Sequence, residues 1–136
     1  MKKLLLTTAL CCVAITAFAM THDMHHTTTF TSNKKPLVVS QNEIFDIKLQ
    51  SNPSTGFSWK LTSYQKPLVK FIGHKYVAPK NTKLMGAPGY ETFTFQAKKG
   101  DYRVAQVGHI VMMYARPWTK DGETKKTFII YVKEKR

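Results

Sequence analysis

Cysteine is almost missing from this chain of 136 residues: the two present, Cys11 and Cys12, are adjacent and close to the amino terminus. Acidic side chains are scarce as well, 8 Asp+Glu against 21 Lys+Arg, which leaves a formal charge of +13. Beyond residue 20 no stretch approaches the ~20 consecutive apolar residues of a membrane helix, so no span is expected. The sequence has no Gly-rich phosphate loop and no nucleophile elbow. Its carboxylates occur singly, and the histidines of the later chain, His74 and His109, are far apart. Paired-carboxylate, phosphoryl-transfer and acyl-transfer chemistry therefore lack their parts, and no catalytic residue is predicted.

What is present begins with Lys2-Lys3, an apolar run over residues 4–18, and the small-residue exit Ala17-Phe18-Ala19. This order predicts a secretory signal peptide over residues 1–19, cut after Ala19, and hence a periplasmic or secreted protein. Cleavage would remove both cysteines, leaving no disulfide, thiol nucleophile or zinc–cysteine site. The exported fold must then rest on its hydrophobic core. With hydrophobic residues at 43%, disorder is not expected, and a chain of this size buries roughly two thirds of its unfolded surface.

Residues 20–35 are polar, rich in Thr and His, and without a sustained period, so they predict a flexible arm ahead of one domain over residues 36–136. A mature terminus Met20-Thr21-His22 would place a free amine two residues before an imidazole. That arrangement, with His25-His26 nearby, can hold Cu(II) or Ni(II) in a square plane through His22. Unchanged visible absorption on adding Cu(II) would end this expectation.

From Pro36 onward the pattern is period two. Phe45, Ile47 and Leu49 alternate with Asp46 and Lys48, and Phe93, Phe95 and Ala97 alternate with Thr94 and Gln96, as half-buried strands do. Further strands are expected at residues 37–40, 57–62, 69–77, 102–107, 109–115 and 127–133, where β-branched and aromatic residues gather. No segment carries a helical stripe. Short strands between Gly, Pro, Asn and Asp turns predict an all-β sandwich or barrel. Asp121-Gly122 is the clearest hairpin signal, Trp59 reads as a core anchor, and Met112-Met113 must point to opposite faces.

Three turns stand out. In Asn52-Pro53-Ser54-Thr55-Gly56-Phe57, Pro53 fixes its own φ and Gly56 can adopt a positive φ without steric cost. Gly86-Ala87-Pro88-Gly89 is the second. In Arg116-Pro117-Trp118 a proline separates two residue types that dominate binding hot spots. These segments hold three of the six prolines and three of the seven glycines. Between Phe57 and Gly86 lie 28 residues, and between Gly89 and Arg116 lie 26. Each interval fits two strands and a turn, and two traversals return the chain to the same end. All three turns would then share one edge, as binding loops do in immunoglobulin-like domains. The other reading makes them ordinary turns, with Trp118 folded back onto the sheet.

These residues resemble the chagasin-like inhibitors of papain-type cysteine proteases. That family carries an NPTTG(Y/F) loop, a GxGG loop and an RPW/F loop in this order, and the likeness spans residues 36 to 133. Ser54 is a conservative change. Pro88 stands where the family usually has glycine, which removes an N–H there, and residues 98–108 are longer than the family pattern. The resemblance implies an immunoglobulin-like β-sandwich whose loops wedge reversibly into the active-site cleft of a papain-like cysteine protease, without covalent chemistry or cofactor. Thr55 and Gly56 would lie nearest the catalytic thiolate–imidazole pair, residues 86–89 on the substrate side and residues 116–118 on the leaving-group side.

The basic charge admits another reading, a sandwich that binds anionic polymers or nucleic acid and inhibits nothing. The lysines are dispersed (Lys66, Lys70, Lys75, Lys80, Lys83, Lys98, Lys99, Lys125, Lys126, Lys133, Lys135) rather than interleaved with exposed aromatics. Nucleic acid is accordingly not the expected partner, and a monomer is the default for a single domain.

Overall fold

A computed structural model describes residues 27–81 and 83–135. The signal peptide expected over residues 1–19 and the histidines His22, His25 and His26 lie outside the described residues. Eight strands follow one another: β1 (Thr28–Phe30), β2 (Leu37–Val39), β3 (Ile44–Ser51), β4 (Ser58–Tyr64), β5 (Val69–Val77), β6 (Gly89–Ala97), β7 (Gln106–Arg116) and β8 (Thr119–Val132), with one 3-10 turn at Pro53–Thr55. They form two four-stranded sheets, ordered β1-β3-β6-β5 and β2-β8-β7-β4. The short strands β1 and β2 run parallel to β3 and β8, and all other pairs are antiparallel. The result is the all-β sandwich of immunoglobulin-like type. Among the described residues no helix is long and apolar enough to cross a membrane.

Alternation explains how the sheets face each other. Phe45, Ile47 and Leu49 of β3 pack with Phe93, Phe95 and Ala97 of β6 on one inner face, where register sets Phe45 opposite Phe95 and Ile47 opposite Phe93. Ile110 and Met112 of β7, with Phe128, Ile130 and Val132 of β8, line the other. Met112 is buried while its neighbour Met113 is turned outward and half-buried, as a pleat demands. Trp59 is 6% exposed and its indole Nε1–H donates to the Gln50 carbonyl at 2.8 Å. Full burial of one such large side chain contributes about 1.5–3 kcal/mol, so one or two of them match the ~2–4 kcal/mol typical of a disulfide.

The structure corrects four expectations. The arm of residues 20–35 is not structureless throughout: Thr28–Phe30 pairs with Phe45–Ile47, and Phe30 meets Phe45 edge-on at 6.0 Å between centroids. Two threonines and one aromatic suffice for an added edge strand where an open ladder already exists. The strand expected over residues 102–107 starts only at Gln106. Residues 103–105 are all exposed, so no inward-outward alternation supports pairing, and the longer segment forms a loop at the pole away from the three turns, with Tyr102 packed on the core. The strand expected at residues 127–133 begins earlier, at Thr119.

Fourth, the last hairpin does not reverse at Asp121-Gly122. It reverses at Pro117-Trp118, between paired Arg116 and Thr119. Neither central residue has a positive φ, so this is not one of the primed turns whose twist matches the flanking strands. The mismatch is taken up by a bulge. Arg116 pairs with Thr119 but Tyr114 with Thr124, leaving residues 120–123 opposite Ala115 alone, with Gly122 at φ +75° inside. The Asp-Gly chemistry serves the bulge because proline has already fixed the reversal.

Candidate functional site

Strand register brings the three turns together. Ser51 at the end of β3 lies opposite Gly89 at the start of β6, which sets residues 52–57 (loop 1) beside residues 78–88, whose last part with Gly89 is loop 2. Ser58 lies opposite Ala115, which sets loop 1 beside residues 116–118 (loop 3). Loop 2 belongs to the first sheet and loop 3 to the second. Loop 1 crosses between them.

Loop 1 is closed on itself. Pro53, Ser54 and Thr55 make a single 3-10 turn, and Gly56 follows at φ +82° with its N–H donating to the Pro53 carbonyl at 2.9 Å. Thr55 donates to the Asn52 carbonyl from its N–H at 3.1 Å and from its hydroxyl at 2.7 Å, and the Ser54 hydroxyl donates to Asn52 Oδ1 at 2.6 Å. Asn52 Nδ2 reaches the Gly86 carbonyl of loop 2 at 3.3 Å. From loop 3, Arg116 Nε donates to the Thr55 carbonyl at 3.0 Å, while the guanidinium lies 4.2 Å from the centre of the Phe57 ring. Phe57 stacks on Tyr114 at 5.2 Å, whose hydroxyl accepts the Asn52 N–H at 3.0 Å.

Trp118 is 72% exposed and is not folded into the sandwich. Its indole lies over Gly56, where an added Cβ would stand 2.5 Å from Cη2 and 2.8 Å from Cζ2. The exposed tryptophan thus rests on the bare backbone of loop 1, and only glycine leaves room for it. All thirteen residues expected at the site, Asn52 to Phe57, Gly86 to Gly89 and Arg116 to Trp118, fall at this one end. Within loop 2, Gly86 sits at φ +78°, Ala87 N–H donates to the Leu84 carbonyl at 3.2 Å, and Pro88 is exposed.

Three contributors escaped the sequence reading. Leu84 and Met85, just ahead of Gly86, are 63% and 102% exposed, an apolar pair presented at the tip of a polar loop. The signal was two large apolar residues with no strand period around them. Tyr114 supports loop 1 from below. Glu91 is the third: it is 3% exposed and accepts from the Ser51 hydroxyl at 2.5 Å and the Trp59 N–H at 2.9 Å, with His74 Nε2 2.7 Å from its other oxygen. Counting back by twos from Ala97, Phe95 and Phe93 places Glu91 on the inner face, so its burial was legible. Among the described residues no group of three or more His, Cys, Asp or Glu is placed to hold a metal, and His109 is a solvent-facing strand residue.

A sandwich that presents three interlocked turns and two exposed apolar tips at one end has the form of proteins that dock on other proteins. The sequence pattern of the chagasin family peptidase inhibitors (I42) matches residues 38–132. Chagasin of Trypanosoma cruzi is 32% identical over 114 residues, covering 81% of this chain and 98% of that one. The chain belongs to the chagasin family of peptidase inhibitors, which are not enzymes. Its fold is similar to the crystal structure of the cysteine protease inhibitor EhICP2 from Entamoeba histolytica, with a TM-score of 0.60 and 23% identity over 79% of this chain and 95% of that one. It is also similar to amebosin in solution, with a TM-score of 0.57 and 24% identity over 80% of this chain and 98% of the other.

Proposed function

We propose that this protein is a reversible inhibitor of papain-like cysteine proteases that fills the active-site cleft with loops 1, 2 and 3. The observation that carries the reading is the convergence of the three family motifs on one edge, locked to one another through Asn52–Gly86 and Arg116–Thr55. Locking matters because each side chain already ordered before docking saves about 0.5–1.5 kcal/mol of entropy. Three loops together can supply the ~800 Å² per partner of a standard interface.

Loop 1 also explains why the inhibitor would survive its target. A thiolate attacks a peptide carbonyl presented in an extended segment with the reacting atoms ~3–3.5 Å apart. In loop 1 the Asn52, Pro53 and Thr55 carbonyls accept hydrogen bonds from Thr55, Gly56 and Arg116, and the backbone is wound into a 3-10 turn. Thr55 and Gly56 can therefore face the catalytic cysteine without offering it a scissile bond. On either side, Met85 and Trp118 supply apolar surface, and burial of such surface drives association.

The test is an inhibition assay with papain and other papain-like proteases, using serine and metalloproteases as controls. Selective, reversible loss of papain-like activity is expected. Salt-sensitive retention on nucleic acid with no inhibition would overturn the reading. Replacing Leu84 and Met85 together by serine is expected to weaken inhibition about tenfold, since truncating an interface side chain that matters costs over ~1 kcal/mol. The thermal midpoint should not move, because both side chains already face solvent.

The basic, apolar and small-residue order of residues 1–19 supports export to the periplasm or medium. Mass spectrometry of the protein recovered outside the cytoplasm should then find a chain that starts at Met20, and an intact Met1 terminus there would refute this.

A further inference from the structure

Loop 1 spans two sheets that share no hydrogen-bonded ladder at this end, so something other than strand pairing must fix the distance between its stems. Ser51 closes β3 in one sheet, and Trp59 stands near the start of β4 in the other. β4 is an edge strand, and an edge strand leaves inward or sideways N–H groups without a ladder partner. When such a group is buried it must find another acceptor. For Trp59 N–H that acceptor is Glu91 Oε1, and the same oxygen accepts the Ser51 hydroxyl. One carboxylate oxygen thus binds both stems. His74, reaching in from the edge strand β5, engages Oε2 and stacks on Phe93 at 4.4 Å, which holds the carboxyl group in its orientation.

We infer that Glu91 is a positioning residue for inhibition: its buried carboxylate clamps the two stems of loop 1 across the inter-sheet gap, so that the loop meets the cleft already in its docking geometry. The inference rests on the reading of loop 1 as the inhibitory element. A clamp of this kind differs from ordinary core stabilisation in what its loss does. If loop 1 occupies the docking geometry for only part of the time, the apparent affinity falls by that fraction. The loss appears in the association rate, while a complex once formed dissociates as before.

The experiment compares wild type, Glu91→Gln and Glu91→Ala in association and dissociation with papain, well below the unfolding temperature, together with amide hydrogen exchange at Thr55 and Gly56. Glutamine keeps the volume and an acceptor oxygen for both stems, so it should behave like wild type within about twofold. In Glu91→Ala the association rate should fall about tenfold with dissociation within about twofold, and exchange at Thr55 and Gly56 should quicken about tenfold as the loop opens locally. A lower melting temperature with unchanged association and exchange would overturn the inference and leave Glu91 as a structural residue alone. Should Glu91→Ala not fold, Ser51→Ala frees one stem without burying a charge, and unchanged association and exchange in that variant would overturn the inference equally. Quickened exchange in a protein that never inhibits papain would uphold the clamp and refute the inhibitory reading of loop 1.

Discussion

Trp118→Ala is expected to weaken inhibition of a papain-like protease by about thirtyfold, the equivalent of ~2 kcal/mol for a central aromatic anchor. The expectation follows from where the indole sits. It is 72% exposed, so its removal opens no cavity in the sandwich and the thermal midpoint should stay within about 2 °C. Yet the ring is not free, because the benzo end of the indole lies against Gly56 and the proline before it restricts the backbone that carries it. A tryptophan held in this way brings a large apolar surface to a partner with little rotamer entropy left to lose. An inhibition constant within threefold of wild type would remove Trp118 from the contact surface, and a collapse of the thermal midpoint would show that it holds the fold instead.

Gly56→Ala should cost at least as much, by two routes that can be separated. Gly56 sits at φ +82°, a left-handed conformation that disfavours any L side chain by about 1–2 kcal/mol. The new methyl would also meet the indole at 2.5 and 2.8 Å, and since an exposed ring can swing aside, the contact is relieved by losing the pose of Trp118. The combined effect on inhibition should reach fiftyfold or more, on the order of 2.3 kcal/mol. The second route vanishes when the indole is already gone. The double variant Gly56→Ala/Trp118→Ala should therefore lose clearly less than the two single effects summed, with a coupling of about 0.5–1 kcal/mol. Simple additivity would show that the ring and the glycine act independently.

The fold was readable where alternation was strong. Phe45, Ile47, Leu49 and Phe93, Phe95, Ala97 announce two paired strands, and the 28- and 26-residue intervals announce loops that return to one end. β5 was expected at residues 69–77 and is found there, because its Gly73 and the Phe71/Gly73 register shift do not interrupt the run of β-formers. Less legible were features that depend on a neighbour distant in sequence. Thr28–Phe30 pairs only because β3 leaves an open edge, and nothing in Thr-Thr-Phe records that. The Asp-Gly signal identified a turn-forming dipeptide correctly but not its use, which Pro117, four residues before Asp121, decided.

At the site, glycine and proline positions were informative because backbone restriction is written in the residue itself. Gly56 has the positive φ its type allows. Leu84 and Met85 were not visible in the same way, since exposure of an apolar residue is a property of the surroundings and not of the side chain. Glu91 lay between these cases. Its place on the inner face follows from the alternation of β6, but its partners Ser51, Trp59 and His74 come from three other strands, and only the assembled sandwich brings them to one carboxylate.

β8 leaves loop 3 at Thr119 and ends at Val132 opposite Gln106, and the ten steps of β7 from Arg116 back to Gln106, at ~3.4 Å per residue, put that end on the order of 30 Å away from the wedge. Anything tethered beyond Val132, a bead, a dye or a second copy joined by a Gly-Ser linker, would hang from the far pole and leave the loops unobstructed. Two copies joined in this manner could grip two proteases at once, and on a surface crowded with immobilised enzyme the pair would be retained by avidity far longer than either unit alone.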